Sequence, residues 1–117
     1  MLLRRIGMGV KGQVHIEDDN VWLYTEYEGY NVLNIVEKAL RRGRSCWNNP
    51  EYLARIIFSE MTRDCIDGLE DYGIGSRKHN GVEWSVGINC QNQTVTVTLW
   101  DRFLESKSFE DFISEAG

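Results

Sequence analysis

The order of apolar and polar positions divides the chain into stretches with two different periods. In VHIEDDNVWLY (14–24), Val14 and Ile16 fall on one side of an extended chain, and Val21, Leu23 and Thr25 continue that side beyond a turn. His15, Trp22, Tyr24 and Glu26 take the other side. Asp18, Asp19 and Asn20 suit the turn, because their short side chains bond nearby backbone and tolerate left-handed dihedrals. This predicts a hairpin whose first strand starts as early as Ile6 and is weakened by Gly7, Gly9 and Gly12.

The period then lengthens. Val32, Leu33, Val36, Ala39 and Leu40 recur at helical spacing, with Asn31 as the cap and Gly43 as the stop. Lys38, Arg41 and Arg42 sit late, where they oppose the negative end of the helix dipole. A second helix opens at Asn49-Pro50: asparagine caps, and proline at the first helical position loses no hydrogen bond. Leu53, Ile57 and Met61 stack on one side, Ala54, Phe58 and Cys65 widen the stripe, and Glu51 and Arg55 stand four apart outside. The helix is expected to end near Ile66 or Asp67.

Residues 67–81 carry Gly68, Gly73, Gly75 and Gly81 and predict a loop. Trp84, Val86, Ile88 and Cys90 then alternate, as do Val95, Val97 and Leu99, around the short connector Gln91-Asn92-Gln93. Thr94, Thr96 and Thr98 take the solvated side of this second hairpin. Ser108 caps a short last helix reaching Glu115, docked by Phe109, Phe112 and Ile113. The expected fold is α+β: a four-stranded, mainly antiparallel sheet from two hairpins, two central helices on one face and a short C-terminal helix. Residues 1–117 are expected to form a single domain.

Composition narrows the function. A hydrophobic fraction of 42% supports a core, and a net charge of -5 argues against a non-specific nucleic-acid surface. Between Gly12 and Glu37 lie Glu17, Asp18, Asp19, Glu26, Glu28 and Glu37 with no lysine or arginine, after which Lys38, Arg41, Arg42 and Arg44 cluster. Cys46, Cys65 and Cys90 are odd in number and widely spaced, which predicts reduced thiols and a cytoplasmic setting. No apolar run has membrane-spanning length, and MLLRRIG does not read as a secretory signal.

Three short motifs in order carry a resemblance: Tyr27-Glu28-Gly29-Tyr30-Asn31, then Tyr52-Leu53-Ala54-Arg55, then Asp71-Tyr72-Gly73-Ile74. Over roughly residues 14 to 100 the chain resembles a family of small uncharacterised proteins of phages, prophages and other mobile elements. That family reads like Trp-Asp-Gly-Tyr-Pro at the first motif; here Tyr27, Glu28 and Asn31 stand for the tryptophan, aspartate and proline. The resemblance implies a mobile-element origin and no particular activity.

Candidate chemistry is sparse. Glu26, Glu28 and Glu37 with Asp71 could gather into a metal or acid–base cluster, but the spacing does not bring Asp71 to the others. Asp71 to Lys78 lacks the Gly-Lys-Ser/Thr ending of a phosphate loop. His15, His79 and the cysteines show no close zinc-ligand spacing. Cys65 and Cys90 read as core, which leaves Cys46 as the reactive candidate. Tyr24, Tyr27, Tyr30, Trp47, Tyr52 and Tyr72 suggest an aromatic groove, and with Glu26 and Glu28 they make a partner-binding surface. Arg41, Arg42, Arg44, Arg77 and Lys78, extended by Arg4 and Arg5, are the anion-binding candidates.

These features point to a small acidic protein-binding module without catalytic residues, metal or cofactor. Its expected partner is a host or phage protein, a basic nucleic-acid-binding one included, and the reading extends to inhibition of a host defence complex. Direct nucleic-acid binding and membrane association are not expected. One alternative is a small enzyme or nucleotide- or metal-binding module using Glu28, Tyr30, Arg55 and Asp71. Another is a homodimer or larger homo-oligomer assembled through the Thr94–Trp100 strand.

Overall fold

The structure is a computed structural model that describes residues 10–116. Ile6, Gly7, Gly9, Arg4 and Arg5 therefore lie outside the described residues. Strand β1 (Gly12–Ile16) turns into β2 (Val21–Thr25), and helices α1 (Val32–Arg42) and α2 (Pro50–Met61) follow. Then come β3 (Tyr72–Gly75), β4 (Trp84–Asn89), β5 (Thr94–Leu99), β6 (Arg102–Ser108) and α3 (Phe109–Ala116).

The α+β class is as expected, but the sheet is not. It has six strands in the order β3-β2-β1-β4-β5-β6. The two expected hairpins are present, and β1 joins β4 in parallel, Val14 opposite Val86. The sheet is therefore mixed. The two extra strands form its edges. Strand β3 arises within the glycine-rich stretch expected to be a loop, where Leu23 pairs with Ile74 and Thr25 with Tyr72. Strand β6 pairs with β5 and carries an irregularity between Val97 and Thr98. That offset sets Phe103 and Leu104 side by side and spoils simple alternation.

Alternation decides the two faces. Val14, Ile16, Leu23, Val86, Ile88, Val95 and Val97 are buried beneath the helices. Helix α1 buries Val32, Ile35, Val36, Ala39 and Leu40; α2 buries Leu53, Ile57 and Met61; α3 adds Phe109, Phe112 and Ile113. Each fully buried aliphatic or aromatic side chain stabilises the fold by about 1.5–3 kcal/mol.

The caps show which local signals hold. Asn49 Oδ1 accepts the Tyr52 N–H at 3.3 Å, and Ser108 Oγ accepts the Asp111 N–H at 3.0 Å. Asn31 occupies the α1 cap position without capping it, because its Oδ1 accepts the Asn34 side-chain amide instead. Helix α2 stops at Met61, short of Ile66, with the Thr62 N–H and hydroxyl both donating to Phe58 O at its end. Cys65 thus falls outside the stripe and is only half-buried. Among the described residues Glu51 and Arg55 form no ion pair.

Candidate interaction surfaces

The expected aromatic groove divides into three environments. Trp47 belongs to the core: its Nε1–H donates to Leu40 O at 2.8 Å and its ring meets Phe109 edge-on at 5.3 Å. It lines no groove. Tyr24 stands on the sheet face away from the helices, stacked on His79 at 4.0 Å, with its hydroxyl donating to Glu26 Oε1 at 2.6 Å. Tyr27, Tyr30 and Tyr52 are exposed, as a contact surface requires.

Beside Tyr27, the β2–β3 pairing brings together residues that the spacing keeps apart. Glu26 N–H donates to Asp71 O, and the Tyr72 hydroxyl donates to Glu28 Oε2 at 2.5 Å. The Cys65 thiol donates to Asp71 Oδ2 at 3.6 Å. Burial, then the Glu28 carboxylate, push the Tyr72 phenol above the usual tyrosine range; burial and Glu26 do the same to Tyr24. Burial and Asp71 likewise raise the Cys65 thiol. All three groups are held protonated near neutral pH, as donors and not as bases or nucleophiles. Arg55 is exposed on α2. Among the described residues, no group of three His, Cys, Asp or Glu side chains is placed to hold a metal ion.

The anion-binding candidates face internal carboxylates. Arg41 bonds Glu37, Arg42 bonds Glu60 and Arg44 bonds Glu110, while Lys78 reaches Asp101 at 3.0 Å. Arg44 also lies over the Trp47 ring, 4.6 Å from its centre. Arg63 joins Arg42 on Glu60, whose side chain is only 5% exposed. Arg77 is exposed. Cys46 is half-buried in a short 3₁₀ turn, Arg44–Cys46. Burial, with Asp18 beside it, pushes the Cys90 thiol up to about 12, so this cysteine is inert core.

A surface that alternation does not reveal lies at the other end of the sheet. Trp100 and Asp101 form the two-residue turn between β5 and β6 with φ of 51° and 65°. Such a turn favours Asn-Gly, because a β-carbon is strained in the left-handed region. Two contacts hold it: Trp100 N–H donates to Glu83 O at 2.8 Å, and Lys78 pairs with Asp101. Trp100 stays 57% exposed, and the strand that follows the turn carries exposed Phe103 (66%) and Leu104 (50%). The one available signal was the connector length: Leu99-Trp100-Asp101-Arg102 between two β-prone runs is a two-residue hairpin connection.

Strand β5 is bonded on both sides, by β4 and β6. Strand β5 therefore offers no free edge, and the edge on this side is β6. Among the described residues no helix is long and apolar enough to cross a membrane. In comparisons with protein-family models, curated proteins and solved structures, the chain matches none.

Proposed function

We propose that this chain is a protein-binding module that presents the β5–β6 end of its sheet to a partner. The supporting observation is Trp100, held exposed in a strained left-handed turn that leads into a strand with exposed Phe103 and Leu104. Strain of this kind costs about 1–3 kcal/mol and persists where the surroundings enforce it, often at functional sites. Tryptophan is also the residue type most enriched at energetic centres of protein interfaces. A hydrophobic patch at a sheet edge, which β6 is among the described residues, is the arrangement through which strands recruit another chain.

The net charge of -5 favours a basic partner and speeds its capture. Tyr27, Glu28 and Tyr30, tied to the opposite edge strand β3 through the Glu28–Tyr72 hydrogen bond, form a second, smaller contact surface in this proposal. The motif resemblance extends the proposal to a host defence component as partner, on the motifs alone.

The test compares the wild type with a Trp100→Gly/Phe103→Ser variant, each immobilised against the same cell lysate, with light scattering on each protein alone. The expected result is a basic protein retained by the wild type, lost by the variant and released as salt rises. A wild-type dimer that the variant breaks would instead assign the surface to a second copy of this chain. Equal retention by both proteins would refute the surface.

A further inference from the structure

Among the described residues, helices cover only one face of the sheet. Across the other, directly opposed positions at one level read Gly75, Trp22, His15, Gly87, Thr96 and Ser106. Trp22 and His15 lie flat together, 3.8 Å between ring centres and 9° between planes. Asn20 locks them. Its Nδ2 donates to Ser76 O at 3.3 Å, which turns Oδ1 toward the rings, where it accepts Trp22 Nε1–H at 3.2 Å and bonds His15 Nε2 at 2.9 Å. An amide oxygen only accepts, so Nε2 carries the proton on His15.

One face of the imidazole is covered by Trp22. The opposite face looks toward β4, where Gly87 supplies no side chain. The result is a slot of about 290 Å³ with His15 as its wall and Ser85, Gly87, Thr96 and Thr98 as its floor. Glu17 and the Lys78–Asp101 pair form the rim. Glu17 Oε1 is steadied by the Asn89 amide at 3.3 Å, and Oε2 leans so close over Gly87 that a β-carbon there would collide with it.

This slot selects by shape and by charge. A flat ring wall favours a planar guest. The Ser85, Thr96 and Thr98 hydroxyls, bonded to the Gln13 amide, Ser106 and Ser85 O, each have lone-pair capacity left, and with the carboxylate they favour a guest rich in N–H donors. Because Lys78 and Asp101 neutralise each other at 3.0 Å, Glu17 leaves the slot negative, which disfavours a phosphate-bearing nucleotide. A guanidinium meets all three conditions: it is planar, cationic, stacks on rings and offers five donors in a fixed fork. A lysine ammonium offers charge without the flat face.

We propose that the slot binds the guanidinium of an arginine side chain presented by a partner polypeptide. The slot adjoins the turn that carries Trp100, since Asp101 belongs to its rim, so one partner can engage both. The source of the arginine rests on the protein-binding reading; the chemistry of the slot does not.

The test is a titration of the full chain followed by ¹⁵N NMR at the Trp22 indole N–H and the Thr96 and Thr98 amides. The probes are a capped Gly-Arg-Gly peptide, its lysine counterpart, free arginine and cytidine. The arginine peptide is expected to give saturable shifts, with at least tenfold weaker binding of the lysine peptide. Glu17→Gln should weaken the arginine peptide about tenfold, and Gly87→Val should abolish its binding while leaving helix resonances in place. Glu17 is exposed, so Glu17→Gln keeps the test decisive even where Gly87→Val disturbs the strand.

Absence of saturable shifts, equal response to lysine, or undiminished binding by both variants would overturn the slot. Tighter binding of cytidine would reassign it to a nucleobase. Tighter binding of free arginine than of the capped peptide would overturn the polypeptide source. No partner is present in this titration, so its failure is distinct from failure of the retention experiment.

Discussion

Gly12 and Gly87 sit on the two central strands, one on each face of the sheet, and the missing side chain serves opposite ends. On the helix side, a β-carbon at Gly12 would meet Gly29 Cα and a Val32 methyl, each at 2.6 Å. The space is already taken by backbone, because the chain leaving β2 folds back until Gly29 N–H donates to Val10 O at 2.8 Å. On the open side, a β-carbon at Gly87 would meet the end of the Glu17 side chain and, at ordinary distance, Thr96. One glycine permits close packing of backbone; the other leaves room into which only the Glu17 carboxylate leans. Where glycine leaves a vacancy on an otherwise ordinary strand, the vacancy is a candidate for occupation by something else.

The comparison is broken most severely at Gly12. Gly12→Val should destabilise the protein by about 3 kcal/mol or more, since neither the Gly29 backbone nor the fully buried Val32 side chain can retreat. The measurement is the urea midpoint, and a variant within 1 kcal/mol of wild type, roughly the low end for overpacking, would show that the contact is not rigid.

A smaller effect separates the charges on the two sides. Hydrogen bonds from Arg63, opposed by burial and helped by Arg42, hold the Glu60 carboxyl below its ordinary value. A depressed carboxylate stabilises fully above its unfolded pKa and loses that contribution as pH falls through its lower folded value. Glu60→Gln should therefore cost about 1–2 kcal/mol at neutral pH and flatten the acid limb of the stability curve. By contrast, Asp101→Asn breaks a pair whose side chains are 48% and 70% exposed, and should change stability by less than about 0.5 kcal/mol.

The smallest effect is expected at Gly87. Gly87→Val should stay within about 0.5 kcal/mol of wild type, with a stabilising sign, because a β-branched residue suits a strand and narrows the unfolded ensemble. A large loss would mean that the slot is structural packing and not spare volume.

Much of the helix side was legible along the chain. Long apolar periods around Val32–Leu40 and Leu53–Met61, and two clean alternations, placed both hairpins and both helices. The edges were not, for a physical reason. Strand β3 has two glycines in four residues, a half-buried Tyr72 and an exposed Ile74, so its place is set by pairing with Leu23 and Thr25 and not by its own pattern. Strand β6 turns Glu105 and Lys107 toward the helices at a rim wet enough for charge, which reverses the usual alternation.

The candidate site followed the same division. Glu28 and Asp71 meet only because β3 exists. Trp47 sinks into the core because α3 brings Phe109 to it. The aromatic pair at the slot is local, His15 and Trp22 of one hairpin, but Gly87 reaches it only through the parallel join.

That parallel join sets how the protein must fold. Gln13 and Ser85, hydrogen-bonded neighbours across it, are 72 positions apart in the chain. Everything between them, both long helices included, has to be made before the middle of the sheet can close. Each hairpin can form early on its own, but their union is the costly long-range step that slows folding. Until then the first hairpin exposes a bare inner edge along Gly12–Ile16, so a newly made chain would be most prone to aggregate in that interval.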